Sequence, residues 1–122
     1  MSRIVSIQTE LRDAQILREC LEELDCQVLY QPEGIRMSRT RKPVQFLVHA
    51  SCGTCGFRLT PEGRYEFVTD DMWLPRQQEF LQQLTRQYAY RKILKDAKAA
   101  GYQLVHEEIG EDRTIKLVVR KW

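Results

Sequence analysis

The sequence predicts an α+β fold: one antiparallel sheet of six to seven strands with two helices on one face. Three observations predict it. Seven short segments are rich in β-branched or aromatic residues, several with the two-residue alternation of a strand. Two segments carry leucines or aromatics at the spacing of one helix face. Polar turns rather than long crossovers join neighbouring strand segments, which suits antiparallel pairing. A length of 122 residues fits one domain spanning residues 1–122.

The elements follow in the order β-α-β-β-β-β-α-β-β. Arg3–Gln8 is short, β-branched and alternating, and reads as the first strand. Leu11–Leu24 reads as a helix with Asp13 as N-cap. Leu17, Leu21 and Leu24 fall at i, i+4 and i+7 and form its core stripe. Cys26–Tyr30 is the next strand. Gln31–Pro43 reads as a polar loop carrying Arg36, Arg39, Arg41 and Lys42, with no acid after Glu33. Val44–Ala50 alternates, with Val44, Phe46 and Val48 on one face and Gln45, Leu47 and His49 on the other. Cys52–Gly56 is read as a turn. Phe57–Leu59 and Arg64–Val68 flank Thr60-Pro61-Glu62-Gly63, a hairpin turn by its proline and glycine.

Pro75 suits the first turn of the longest helix, expected from about Arg76 to Ala100 with Gly101 closing it. Phe80, Leu84 and Tyr88 form its apolar stripe. Tyr102–His106 is a strand, Glu107–Asp112 a turn and Arg113–Arg120 the last strand, with Ile115, Leu117 and Val119 on one face. Cys26-Gln-Val-Leu-Tyr30 parallels Tyr102-Gln-Leu-Val-His106, which suggests two βαββ-like halves.

Composition limits the function classes. Apolar residues make up 43% and charged residues 30%, enough apolar material for a core and outside the disordered range. Nineteen basic residues against 17 acidic ones exclude a histone-like or acidic-tail protein but leave room for a local basic patch. No apolar run approaches the roughly 18–20 residues of a membrane helix, so membrane insertion is not expected. The opening residues do not read as an export signal. The expectation is a cytoplasmic protein with reduced thiols at Cys20, Cys26, Cys52 and Cys55.

Two constellations carry candidate chemistry. Cys52-x-x-Cys55, preceded by His49, can chelate zinc or iron from one turn, provided that a fourth ligand comes from Cys20, Cys26 or a second chain. The same pair could be a redox dithiol, but the segment after it reads as strand, not the helix that activates such thiols. An inert turn is the plain alternative. The second is basic. Arg91, Lys95 and Lys98 fall at i, i+4 and i+7 on the long helix, where like charges repel unless something neutralises them. With Arg36, Arg39, Arg41 and Lys42 they suit a phosphate backbone or an acidic protein surface. A solvated helix end, where cations are favoured, is the alternative. Tyr88 and Tyr90 point about 200° apart, so at most one could stack a base beside this face.

Other features read as structural. Asp70-Asp71 and Glu107-Glu108 fall at strand ends and suit solvated turns better than a paired-carboxylate site. His106 is a surface or packing residue. Trp122 suggests a pinned chain end, against Trp73 or a partner. No nucleophile elbow and no glycine-rich phosphate loop occurs.

A family resemblance covers nearly the whole chain. Its marks are Gly56-Phe57-Arg58, Glu62-Gly63-x-Tyr65-Glu66, Trp73, Gln87-Tyr88-Ala89-Tyr90, Ala100-Gly101-Tyr102 and Asp112-Arg113-Thr114-Ile115-Lys116-Leu117-Val118-Val119-Arg120-Lys121-Trp122. The chain thereby resembles an uncharacterised family of cyanobacterial and red-algal plastid reading frames with bacterial relatives. This is the Ycf thirty-five, or domain-of-unknown-function twelve-fifty-seven, family. The resemblance implies no activity. It implies an accessory role, by genomic association with AAA-type ATPases and small ferredoxin-like proteins, and a plastid stromal location for a plastid-encoded member. Cys52-x-x-Cys55 departs from the family pattern, so thiol chemistry would be special to this member. The combined expectation is a non-enzymatic adaptor that binds a protein partner through its basic loop and helix face. A metal or thiol protein and an RNA-binding module are the alternatives.

Overall fold

The structure, a computed structural model, describes residues 3–37, 40, 42–110 and 115–121. Its elements are β1 (Ile4–Gln8), α1 (Ala14–Glu23), β2 (Gln27–Ile35), β3 (Val44–Ala50), β4 (Gly53–Leu59), β5 (Tyr65–Asp70), α2 (Leu74–Ala99), β6 (Tyr102–Ile109) and β7 (Ile115–Lys121). The fold is α+β with two helices and antiparallel pairing throughout, but the strands do not form a single sheet of six or seven. β1 to β5 form a five-stranded sheet in the order β1-β5-β4-β3-β2, and β6 and β7 pair only with each other. Two βαββ halves are not found. The chain divides instead into two compact units, residues 1–85 and 86–122, with the boundary inside α2. Short similar stretches near Cys26 and Tyr102 lead into sheets of different size, so the likeness is only local.

The first unit is built on strand alternation. Register places Val5 and Ile7, Phe67 and Thr69, Cys55 and Phe57, Phe46 and Val48, and Val28 and Tyr30 on one face, here the inner face. Phe46, Phe57 and Phe67 are fully buried. Phe57 and Phe67 pack with ring centroids 5.4 Å apart, and Tyr30 lies 4.5 Å from Phe46. α1 begins where Asp13 caps it: the carboxylate accepts the Ile16 N–H at 3.1 Å. Ile16, Leu17, Cys20 and Leu21 are its buried stripe, and the helix packs against β2. The first turns of α2 are fixed to the inner face by polar bonds. Gln77, fully buried, accepts the Thr69 hydroxyl at 2.5 Å and donates to the Thr54 carbonyl at 3.2 Å.

The outer face carries a second, smaller core of Met37, Val44 and Val68, with Ile4, Ile35 and Leu47 packed against it. It exists because the segment expected to be a free loop over Gln31–Pro43 is not one. β2 continues to Ile35, and a register break between Tyr30 and Ile35 absorbs Pro32 and Gly34. The turn expected over Cys52–Gly56 is likewise mostly strand, and only Ser51 and Cys52 separate β3 from β4. Glycine content suggested the turn, but Gly56 answers a packing demand described below.

In the second unit, β6 extends past His106 to Ile109, so Glu107 and Glu108 stand in a strand opposite Leu117 and Lys116 rather than in a turn. The Tyr90 hydroxyl of α2 donates to the Glu107 carboxylate at 2.9 Å. α2 ends where expected: Gly101 takes φ +86°, and its N–H bonds the Lys98 carbonyl at 3.1 Å. Residues 111–114 lie outside the described residues, as does Trp122, the residue of the expected pinned chain end.

Candidate functional site

The segment from Arg36 to Pro43 joins β2 to β3. Its two ends touch: a Cβ built on Gly34 would lie 2.7 Å from the Pro43 Cβ, a separation only glycine permits. Within the loop, Met37 is 7% exposed. It sits over Gly56, where an added Cβ would be 3.1 Å from the Met37 sulfur and 3.0 Å from the Val44 side chain. Both the N–H and the hydroxyl of Thr40 bond the Met37 carbonyl, at 3.2 and 2.8 Å, which turns the chain back. A buried methionine therefore fastens a cationic loop to the outer face of the sheet.

The two described cations of that loop, Arg36 and Lys42, face solvent. Among the described residues neither takes part in an ion pair. Arg39 and Arg41 lie outside the described residues. Other arginines of this unit are committed. Arg58 pairs with Glu66 at 3.3 Å, Arg64 with Glu10 at 2.9 Å and Arg18 with Glu22 at 3.0 Å. Most of these pairs are solvent-exposed and contribute little to stability. Their effect is to leave the loop as a cationic feature of the unit.

The other expected basic residues stand on the far half of α2. Lys95 and Lys98 are exposed, and Arg91 is half-buried. Beside them Lys92 pairs with Asp96 at 3.0 Å. By the 100° step of a helix, 91, 95 and 98 continue the line of 77, 84 and 88, three buried positions. The helix face that starts apolar thus ends basic. The loop cations belong to the first compact unit and the helix cations to the second.

The cysteines gather differently from the expectation. His49 pairs in register with Thr54 on the outer face, and its Nδ1 lies 3.0 Å from the Thr54 hydroxyl. Cys55 follows Thr54 in the strand and points to the inner face, where it is fully buried. His49, Cys52 and Cys55 therefore do not converge on one ion. Among the described residues, no group of three or more His, Cys, Asp or Glu is arranged to hold a metal, so zinc or iron does not fit these side chains. What does lie close together is a group of thiols: Cys52 disfavours ionisation of Cys26, and Cys52 and Cys26 disfavour that of Cys55. Burial pushes the Cys26 thiol up to about 11, with Cys52 and Asp25 adding to the effect. Burial raises Cys55 and Cys52 as well. All four cysteines are free thiols. At Cys52 a backbone hydrogen bond works against burial, but the net shift of all three thiols is upward, away from the lowered pKa that a nucleophilic or redox cysteine needs.

The sequence alone missed two groups. Gln77 and Thr69 form a buried polar link between α2 and the sheet, and glutamine in a charged, polar stretch gives no sign of burial. Trp73 closes the same end of the sheet. Its ring lies on Gly53, where an added Cβ would be 2.8 Å away, and the Arg76 guanidinium stands 5.6 Å over it. Glycine at 53, with φ +121°, was the available signal. The paired acids are structural: Asp71 accepts the Arg3 N–H, and Asp70 the Met72 N–H, each at 2.9 Å.

Comparison with known proteins adds the family context. A family model described as a protein of unknown function, DUF1257, matches residues 20–118. Proteins named "Uncharacterized protein ycf35" are similar over the full chain. Those of Cyanophora paradoxa and Pyropia yezoensis are each 28% identical, and that of Guillardia theta is 29% identical; the match covers 100% of this chain and 98% of each relative. No solved structure matches the chain. No helix among the described residues is long and apolar enough to cross a membrane.

Proposed function

The chain belongs to the DUF1257 family of proteins of unknown function, and from that premise we propose that it is a non-enzymatic accessory protein that binds an acidic macromolecular partner. The carrying observation is the anchored loop. A loop that only connected two strands would not need a buried methionine beneath it and cations around it. Anchoring lowers the entropy lost when the loop is captured, so the charges of Arg36 and Lys42 act from a shaped surface, and Arg39 and Arg41 add to the charge of the same segment. Charge of one sign steers a partner of the other and raises its association rate.

The second contact surface is Arg91, Lys95 and Lys98. A protein partner, such as an AAA-type ATPase or a ferredoxin-like protein, suits these cations better than a nucleic acid does. Single-stranded RNA would be expected to use aromatic platforms. Tyr88, the tyrosine nearer to the basic line, is buried. The site of action we propose is the soluble phase of the cytoplasm, or the stroma in a plastid.

The test is a titration with a labelled acidic polypeptide, polyglutamate, and in parallel a labelled single-stranded RNA. Arg36→Glu with Lys42→Glu, and separately Arg91→Glu with Lys95→Glu and Lys98→Glu, report each surface. The reading expects tighter binding of the acidic polypeptide than of RNA. It also expects at least about tenfold loss in the loop variant, equivalent to about 1.4 kcal/mol. Tighter RNA binding with a steep salt slope would support the nucleic-acid reading instead.

A further inference from the structure

We propose that two copies of this chain join through β1, edge to edge, to form a continuous ten-stranded sheet about a two-fold axis at Ser6. The inference is independent of the basic loop. β1 is a terminal strand of the five-stranded sheet and, among the described residues, pairs with β5 alone. Its pairing shows which backbone groups remain. The Asp71 N–H bonds the Arg3 carbonyl at 2.8 Å, so Arg3 faces β5. By antiparallel alternation Val5 and Ile7 also face β5, and the N–H and C=O of Ile4, Ser6 and Gln8 point away from it. These are six groups, two from each of three residues.

A second β1 satisfies them in one arrangement. With Ser6 opposite Ser6 of the other copy, Ile4 stands opposite Gln8 and Gln8 opposite Ile4. Each of these is a hydrogen-bonded pair, so all six outward groups of each copy are used. Shifting the axis to Val5 or Ile7 keeps the strands antiparallel but leaves one outward residue of β1 without a β1 partner. The Ser6 register also sets Val5 opposite Ile7 on the inner face. Both are half-buried in the single copy, and their pairing would extend the apolar inner face across the axis.

The two edges of the sheet are treated differently. β2, the other terminal strand, holds Pro32, Glu33 and a register break, features that block addition of a strand. From Ile4 to Gln8 there is no proline, no lysine, no charge and no break in register. An edge of five residues that alternates and lacks all of these protections is built for pairing.

The experiment is sedimentation of the full chain from micromolar to submillimolar concentration, with hydrogen exchange read at single amides. The expected mass rises from 14.5 kDa towards twice that value. The amides of Ile4, Ser6 and Gln8 become slow to exchange as the dimer forms. Ser6→Pro removes an outward N–H without removing a β1–β5 bond, a place where an edge strand tolerates proline. It should hold the protein monomeric and folded. If Ser6→Pro does not fold, Ser6→Glu serves: it adds a carboxylate near Arg58, whose guanidinium reaches Ser6 at 3.5 Å, and sets like charges face to face at the axis. Either variant should raise the dimer dissociation constant at least about tenfold. A chain that stays monomeric overturns the proposal. So does a dimer that leaves these three amides in fast exchange or survives the Ser6 variant that folds.

Discussion

Gly56→Ala tests how the loop is held. In isolation the change should help: an alanine is less free than a glycine in the unfolded chain, worth roughly 0.4–1 kcal/mol. The structure opposes it. The new methyl would stand 3.0 Å from the Val44 Cγ1, 3.1 Å from the Met37 sulfur and 3.1 Å from the Phe46 carbonyl oxygen. The methionine is flexible and can lift away, but the carbonyl belongs to the β3 backbone and cannot. Overpacking of this kind costs about 1–3 kcal/mol, so the net expectation is a loss of about 1–2 kcal/mol. That corresponds to a fall in melting temperature of about 4–8 °C for a chain of this size. Urea unfolding of Gly56→Ala, Met37→Ala and the double variant separates the causes. The double variant should be less destabilised than the sum of the two singles, because Met37→Ala removes one of the colliding groups. Strict additivity, or a stabilised Gly56→Ala protein, would refute the seating of Met37 on Gly56.

Four further outcomes are expected. Gln77→Leu should cost about 1–3 kcal/mol in chemical denaturation, since it leaves the Thr69 hydroxyl and the Thr54 carbonyl only their 3.5 Å contact with each other. Asp13→Ala should cost about 1 kcal/mol, while Asp13→Asn should be nearly neutral, because both caps accept the Ile16 N–H. The thiols make stability fall in alkali. Cys26 is raised to about 11, so its neutral form is favoured by the fold. Its contribution is complete below the unfolded thiol pKa of about 8.5, and is lost as pH climbs through about 11. Unfolding curves from pH 8 to 11 should show this loss, and Cys26→Ser should flatten it. At neutral pH alkylation of the native protein should be slow and confined to half-buried Cys52, with Cys20 and Cys55 reacting only on unfolding.

Local elements were readable where one physical rule acted alone. Asp13 before a leucine stripe marks a capped helix, and the stretch 46–50 alternates because one face is core; Val44, expected on that same face, packs instead with Met37 and Val68 on the outer one. Gly101 marks a helix end because only glycine takes φ +86° without strain. Misreadings arose where distant residues decided. Nothing near Gly56 in sequence announces that Met37 will lie on it, so a strand with two glycines read as a turn. Seven strands read as one sheet because pairing depends on the path of α2, which the spacing of Leu84 and Tyr88 does not specify. The candidate site was partly legible. The cations of 36–42 stand out by composition, but their anchorage does not. His49 and Cys55 look adjacent along the chain, yet strand alternation separates them across the sheet.

The most direct test of the central claim is the titration of polyglutamate with the wild-type chain, with Arg36→Glu/Lys42→Glu, and with Met37→Ala. The account predicts salt-sensitive binding to the wild type and at least about tenfold loss in the charge-reversed protein. It predicts a smaller but measurable loss in Met37→Ala, in which every loop charge remains and only the anchor is gone. Binding that is unchanged in all three proteins would contradict the account and remove the loop as a contact surface.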